Sequence, residues 1–280
     1  MAEKQKEMSF MGHLEDLRKM LIRCTIAILV LAGVSYFFID FIFEELIFGA
    51  IDPNFITYKL FCETTKFFGL EESTACATSF SFIIQNTDVG GQFSIFIWTC
   101  FTAGFILAFP YILYEIWKFI SPALYEKERK NAKSFIIVSS LLFFIGVLFG
   151  YYLIVPLSVN FFGTFIVSNT IINQFNVDSY ISMVKTSVIA SGIVFELPII
   201  IYFLARMGLV SAEFLRKYRR AAIVVILIIA AIVTPPDIVS QIIVSIPILV
   251  LYEVSIFIAA KAYKKPELSS EKITTNEQPS

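Results

Sequence analysis

Long apolar runs separated by short polar segments dominate this chain. Five runs contain enough apolar residues, or nearly enough, to cross a hydrocarbon layer that needs roughly 20 of them. They cover residues 22–43, 93–117, 134–155, 180–205 and 240–260. A sixth run at 221–233 is shorter and reaches only about 20 Å along a helix axis. The pattern predicts an all-α integral membrane protein with six transmembrane helices.

The segments outside these runs are small. In residues 9–21, a phenylalanine and three leucines recur at helical spacing, which predicts an amphipathic helix at the membrane interface. Residues 44–92 form the one sizeable loop, and residues 266–280 are polar enough to predict a disordered tail. We therefore expect a single polytopic membrane domain over residues 1–265.

Composition agrees with a membrane protein and argues against an enzyme. Hydrophobic residues make up 57% of the chain, charged residues make up 16%, and the mean hydropathy is +0.77. The sequence has no G-x-x-x-x-G-K-[ST] phosphate-binding motif, and its only histidine, His13, precedes the first span. A histidine metal cluster or a Ser-His pair therefore cannot be assembled within the bilayer. We expect no catalytic activity, no cofactor and no metal.

Lysine and arginine residues concentrate on one side of the predicted membrane. The amino-terminal segment and the loops after the second and fourth spans carry five each, and the tail carries four. The opposite side carries only Lys59 and Lys66. Because loops retained in the cytoplasm are enriched in positive charge, both termini are predicted to be cytoplasmic.

Glu196 lies inside the fourth predicted span, at about mid-depth of the bilayer. A charged group at the centre of a membrane helix costs at least about 2.5 kcal/mol on insertion scales, so it usually faces a polar cavity or a partner. The placement favours a functional role for Glu196. The alternative is a buried acid that only fixes helix packing.

Three other polar residues, Asp16, Glu128 and Asp237, can be explained by their local surroundings without a role in binding. Asp16 on the interfacial helix and Glu128 in the loop after the second span have the surroundings of ordinary solvated acids. In the turn between spans five and six, Asp237 can cap the following helix. Gln241 is not explained by capping, and its amide would need a polar partner close to the outer headgroups. Glu115, near the end of the second span, is expected to be hydrated.

The outward loop contains Cys62 and Cys76. With the predicted orientation these thiols face an oxidising compartment, where a disulfide closing so short a loop would contribute roughly 3 kcal/mol. Two unpaired thiols are the alternative. Cys24 and Cys100 belong to spans and are predicted to be small apolar fillers.

Four motifs resemble the TatC family, the receptor subunit of the twin-arginine protein translocase. They are His13-Leu14-x-Asp16-Leu17-Arg18, Phe119-Ile-Ser-Pro122-Ala-Leu124-Tyr125-x-x-Glu128-Arg129, Phe195-Glu196-Leu-Pro198 and Thr234-Pro-Pro-Asp237-x-x-Ser240-Gln241. Their order and predicted sides of the membrane agree with the family over residues 8–263. The resemblance implies a concave, glove-like bundle with short fifth and sixth helices.

The resemblance also implies a receptor for folded proteins whose signal peptides carry consecutive arginines. Carried over by motif, Asp16 and Glu128 would each receive part of the arginine pair, with Phe119 and Arg18 at the same site. The chemistry suits this role, because a carboxylate can accept both N–H groups of a guanidinium fork. In this chain Asp16 replaces the more common glutamate and is one methylene shorter.

Within the family, Glu196 belongs to the concave face. Gln241, with Asp237, lies near the place where single-span TatA- and TatB-type partners dock. The resemblance implies a bacterial cytoplasmic (inner) membrane, self-association in the complex, transport driven by a proton gradient, and no nucleic-acid partner.

Two other classes of protein remain open at this point. A proton-coupled small-molecule transporter would also place an acid such as Glu196 at mid-membrane. A lipid-facing insertase or scaffold would need neither Asp16 nor Glu128.

Overall fold

The protein is built almost wholly from helices, as the apolar runs predict. The computed structural model describes residues 10–67, 82–121, 132–168, 170, 172–234 and 237–262. The helices are α1 (Phe10–Tyr36), α2 (Ile39–Phe41), α3 (Ile56–Phe67), α4 (Gly91–Ile120), α5 (Ala132–Phe149), α6 (Val155–Thr164), α7 (Val177–Phe195), α8 (Leu197–Arg206), α9 (Ala212–Lys217), α10 (Arg219–Val233) and α11 (Ile238–Ala262). Two π-helical turns, Ile42–Ile47 and Gly150–Ile154, and a 3-10 turn, Gly49–Ile51, complete the helical part.

One small sheet adds to the predicted all-α fold. Strands β1 (Ile83–Gln85) and β2 (Gln174–Asn176) pair in parallel, with Ile84 opposite Phe175. Because β1 precedes α4 and β2 precedes α7, the sheet joins two loops at the same end of the bundle. The predicted outward loop, residues 44–92, therefore contains α3 and β1 rather than irregular chain alone.

Within the described residues, four helical stretches are long and apolar enough to cross a membrane. They are Gly91–Ile120, Lys133–Thr164, Val177–Arg206 and Ser240–Ala262. A fifth candidate is the pair Met11–Tyr36 and Ile39–Thr64, which bends by 84°. The α10 helix has 15 residues and reaches about 22 Å, less than the roughly 30 Å of a hydrocarbon core. The chain is thus a multi-pass membrane protein, and the count of six crossings stays a prediction.

The structure corrects several predicted element bounds. The apolar run at 240–260 forms the 25-residue helix α11, so of the two helices that the resemblance predicted to be short, only α10 is short. The predicted interfacial helix is not a separate element, because α1 continues through it into the first apolar run without a proline to interrupt it. That run was predicted to reach residue 43, but α1 ends at Tyr36 and the chain turns there.

Two of the long stretches are divided into separate helices next to a proline. Pro156 and Pro198 occupy the first turns of α6 and α8, where a missing backbone N–H is tolerated. The carbonyl of Tyr152, four residues before Pro156, accepts a hydrogen bond from the Thr57 hydroxyl instead. Glu196 is the single residue between α7 and α8.

Helices that are close in space bury apolar side chains, which form three clusters among the described residues. α1 packs along α4, α5 packs along α7, and α8 and α10 pack on α11. The last group encloses a buried cluster that includes Ile154, Ala205 and Val244. Many large apolar side chains face outward, among them Ile137 and Leu141 on α5. An apolar outer surface of this kind suits contact with lipid.

Candidate functional site

A cavity of about 290 Å³ lies where the start of α1 meets the end of α4. It brings together Asp16 from the first sequence motif and Phe119 from the second, which are far apart in the chain. The residues that line it are His13, Asp16, Lys19, Met20, Arg23, Glu115, Lys118 and Phe119. The long packed interface between α1 and α4 holds these two helix ends in register.

An aromatic wall closes one side of this cavity. The His13 and Phe119 rings stack with their centroids 4.5 Å apart and an interplanar angle of 28°. Phe119 is partly buried and His13 is exposed. Flat aromatic faces are favourable surfaces for a guanidinium, which stacks on them as well as forming hydrogen bonds.

The two adjacent acids of α1 differ in their partners. The Lys19 ammonium lies 2.8 Å from Glu15 Oε1, and this hydrogen bond, together with the lysine charge, holds the pKa of Glu15 below its ordinary value. Asp16 is exposed and lines the cavity. Within the described part of the chain, no hydrogen bond or ion pair occupies the Asp16 carboxylate. Asp16 is therefore the acid that is available to a ligand.

Glu115 is the residue that sequence reasoning interpreted wrongly. It was expected to be hydrated, but it is only 4% exposed. Arg23 Nη1 lies 3.3 Å from its Oε2, and the Tyr111 hydroxyl donates to its Oε1 at 3.2 Å. The signal that could have found this pair is positional, because Arg23 and Glu115 lie near the same predicted side of consecutive spans.

Of the two other predicted site residues, one lies away from this cavity and the other lies outside the described residues. Arg18 is exposed and is not among the lining residues. Glu128 lies outside the described residues, as does the rest of its motif after Ser121. The cavity as described therefore combines Asp16, Phe119 and Glu115.

Glu196 is buried between helices, with 7% of its surface exposed. The Ser139 hydroxyl of α5 donates to its Oε2 at 2.5 Å. Its Oε1 is buried and accepts no hydrogen bond from any described residue. A separate, almost wholly apolar cavity of about 460 Å³ between α1, α4 and α7 is lined by Lys185 and not by Glu196. The contacts of Glu196 thus fit the packing alternative as well as a polar docking role.

The turn before α11 contains the other two predicted polar residues. Asp237 Oδ2 accepts a hydrogen bond from the Ser240 backbone N–H at 2.8 Å, so Asp237 caps α11. Gln241 Nε2 donates to the Leu227 carbonyl of α10 at 3.1 Å. The polar partner that Gln241 needs is therefore supplied, at least in part, by the preceding helix.

The cysteines separate into two groups. Cys62, on α3, is disulfide-bonded, and its predicted partner Cys76 lies outside the described residues. Cys24 and Cys100 are free and buried within α1 and α4. Cys24 and Cys100 are therefore buried within helices, as predicted. The disulfide between Cys62 and Cys76 stays a prediction.

Comparison with known families gives one match that covers most of the chain. The family profile described as "Sec-independent protein translocase protein (TatC)" matches residues 12–247. A protein of that name from Blattabacterium sp. subsp. Periplaneta americana (strain BPLAN) is 42% identical over 265 residues, which cover 95% of this chain and 100% of that protein. The protein of the same name from Escherichia coli (strain K12) is 32% identical over 245 residues, 88% of this chain and 85% of that protein.

Solved structures show the same fold. A crystal structure of the twin arginine translocase receptor TatC in DDM matches with a TM-score of 0.68 and 33% identity, covering 88% of this chain and 99% of that one. A second crystal structure of the same receptor has a TM-score of 0.65 and covers 89% of this chain. At this identity and coverage, the likeness extends to the sequence as well as the fold.

Proposed function

Because this chain belongs to the TatC family of Sec-independent protein translocase proteins, we propose that it is the receptor that binds twin-arginine signal peptides. The family consists of protein translocases and is not a class of enzymes. The proposal concerns the step at which the chain recognises its cargo, the signal peptide of a folded protein.

The observation that carries the proposal is the cavity that joins Asp16 to Phe119. An available carboxylate beside an aromatic wall is suited to a guanidinium, which forms a forked ion pair and stacks at the same time. A lysine ammonium would form only a point contact there. Glu128 is proposed as a further carboxylate of this site on the strength of its motif.

The apolar part of a signal peptide needs a different surface. The cavity of about 460 Å³ between α1, α4 and α7 has an almost wholly apolar lining, which includes Phe38, Ile106 and Val188. An apolar peptide segment would displace lipid or water from it without losing hydrogen bonds. We assign this cavity to the apolar stretch that follows the arginine pair.

The docking of TatA- and TatB-type single-span partners is proposed along α10 and α11. Gln241 uses one N–H to bind the Leu227 carbonyl. Its second N–H and its oxygen form no hydrogen bond within the described residues, so they can pair with a polar side chain of a partner helix. Glu196 is proposed as a second polar contact, through its unpaired Oε1.

The placement of the chain in the cell is also a proposal. The lysine and arginine distribution supports cytoplasmic termini in the bacterial inner membrane, with the Asp16 cavity on the cytoplasmic side. A proton gradient as the energy source, and several copies in the working assembly, are carried over from the family.

A peptide-binding assay with the full-length chain in nanodiscs tests the proposal. A signal peptide with two arginines should bind, and a version with two lysines should bind at least about tenfold more weakly. Asp16→Ala should weaken arginine-peptide binding by about tenfold, since it removes a charged acceptor. Glu253→Ala is the control, because Glu253 is a carboxylate that is paired with Arg219 and is not among the residues that line the cavity. Equal binding of both peptides, or an unaffected Asp16→Ala variant, would contradict the proposal.

A further inference from the structure

The same cavity contains a second carboxylate that none of the four motifs includes. Glu115 lies on α4 one helical turn before Phe119 and lines the cavity with Asp16. It is 4% exposed, and its ionised form needs a partner because a buried charge without one is strongly unfavourable. Arg23 of α1 is that partner.

The pair between Arg23 and Glu115 is loose. Arg23 reaches Oε2 with a single nitrogen at 3.3 Å, and the Tyr111 hydroxyl lies 3.2 Å from Oε1. Charge-assisted bonds of this kind usually measure about 2.7–2.9 Å, and an arginine often contributes two parallel ones. The carboxylate therefore has capacity for a better-placed guanidinium.

Arg23 is the exposed member of this ion pair, and its side chain can move away from Glu115 into water. Its side chain is 46% exposed, whereas that of Glu115 is 5% exposed. An arginine that moves away from Glu115 exchanges one ion pair for hydration, which costs little at a half-exposed position. The same movement would leave Glu115 without a partner unless another cation took its place.

Charge balance in the cavity favours such an exchange. Among the described residues of the lining, Lys19 is paired with Glu15 and Arg23 with Glu115, and Asp16 and Lys118 are the other charged groups. A ligand with two arginines could place one guanidinium at Asp16 and the other at Glu115, with Glu128 as a further acceptor for either of them. The buried carboxylate would then be paired before and after binding.

We propose that Glu115 receives one arginine of the signal peptide and that Arg23 occupies this carboxylate until the peptide arrives. The inference rests on the proposed function and adds a specificity-determining residue and its intramolecular competitor. In this exchange, an arginine of the peptide replaces Arg23 at Glu115. A peptide lysine would be disfavoured there, because its ammonium cannot form the two parallel hydrogen bonds of a guanidinium.

A double-mutant cycle between the chain and the peptide tests this. Full-length wild type and Glu115→Gln, which can keep the Tyr111 contact, are each titrated with peptides carrying Arg-Arg, Lys-Arg, Arg-Lys and Lys-Lys. Glu115→Gln should weaken Arg-Arg binding by about tenfold. The penalty for lysine at one of the two positions should then shrink to about twofold or less, because coupled groups are not additive.

The Arg23→Gln variant tests whether Arg23 competes with the peptide for Glu115. Removing Arg23 should strengthen Arg-Arg binding by about threefold or more, because the peptide no longer displaces an internal guanidinium. The combined variant Arg23→Gln/Glu115→Gln carries no unpaired buried charge and should bind Arg-Arg as weakly as Glu115→Gln alone. Arg-Arg binding in Arg23→Gln that is no stronger than in wild type would overturn the exchange.

The chain offers a matched control pair. Arg219 Nη2 lies 2.6 Å from Glu253 Oε2, and both groups are about half exposed; this pair joins α10 to α11, away from the cavity lining. Glu253→Gln should leave all four peptide affinities within about twofold of wild type.

Two outcomes separate the inference from the function it rests on. If Glu115→Gln weakens all four peptides by one common factor, Glu115 only holds α1 against α4 and the inference is wrong. If wild type itself does not prefer Arg-Arg over Lys-Lys, the proposed function fails first.

Discussion

Buried acids in a membrane helix must each find a partner, and the two buried acids among the described residues do so differently. Glu115 is paired with Arg23, whose position 92 residues earlier in the chain hides the relation from sequence inspection. Glu196 is bound by a neutral hydroxyl, that of Ser139, and retains one buried oxygen without a hydrogen bond in the described region. The Arg23–Glu115 pair suits the exchange of one cation for another. Glu196 is instead suited to accept a hydrogen bond from an additional polar group.

The contact between Ser139 and Glu196 gives a prediction at this scale. Ser139→Ala should lower the free energy of unfolding by about 1–3 kcal/mol, because it removes the donor to a buried carboxyl group. Thermal unfolding of the purified protein in detergent measures this. Ser140→Ala is the control: the Ser140 hydroxyl is buried without a hydrogen-bond partner among described residues, so its removal should leave the stability unchanged or raise it. Equal effects of the two variants would show that the Glu196 contact is not stabilising.

Helix pairs in this protein approach through glycine and serine. On α5 and its π-helical continuation, Gly146 and Gly150 face Ser187, Ser191 and their neighbours on α7. The Ser191 hydroxyl donates to the Gly146 carbonyl at 2.8 Å. Small residues four apart let membrane helices pack closely when no hydrophobic effect drives them together. Gly104 gives a similar close approach between α4 and α1, where it faces Ile28 and Ala32.

Gly104 gives the prediction for that helix pair. A Cβ at this position would lie 2.6 Å from the Ala32 backbone nitrogen and 2.8 Å from the Ile28 carbonyl oxygen, so the helices would have to separate. Gly104→Ala should destabilise the protein by about 1–3 kcal/mol and weaken binding of an arginine-pair peptide. The measurements are thermal unfolding in detergent and peptide titration.

Gly33→Ala is the matched control on the partner helix. A Cβ there meets nothing within 4 Å, and replacing a glycine inside a helix improves helix propensity by up to about 1 kcal/mol. This variant should therefore be neutral or slightly stabilising. If Gly33→Ala and Gly104→Ala destabilise equally, close packing at Gly104 is not the cause.

At the scale of the whole molecule, the two ends of the helical bundle differ in their chemistry. The ends of α1 and α4 form the charged cavity, and the small sheet, α3 and the disulfide-bonded Cys62 lie toward the other end of the bundle. An apolar surface lies between them. This polarity agrees with the predicted orientation, in which the amino terminus is cytoplasmic and the Cys62 loop faces outward.

Thiol labelling in intact cells tests that orientation. A membrane-impermeant maleimide should not label the chain, because Cys62 is disulfide-bonded and Cys24 and Cys100 are buried. After treatment with an impermeant reductant, Cys62 should become labelled. In Cys62→Ser, its predicted partner Cys76 should react without reduction. Labelling only after the membrane is permeabilised would reverse the orientation.

Much of this architecture was predictable without coordinates. The helical fold and the family were predicted correctly from apolar runs and four motifs, and the buried thiols of Cys24 and Cys100 were placed correctly in α1 and α4. The length of the sixth helix was wrong because it was taken from the resemblance, whereas apolar residues continue through Pro247 in α11. The hydration of Glu115 was wrong because nearness to a helix end does not reveal which side chain covers it.

The sequence by itself determined that this chain is a helical membrane protein of the TatC family. Transfer of a segment into lipid depends on its own composition, and motifs are local, so both can be recognised along the chain. Only the tertiary structure decided that Arg23 covers Glu115 and that Ser139 binds Glu196. These contacts join residues 57 or more positions apart and depend on how closely helix backbones approach, which local pattern does not specify.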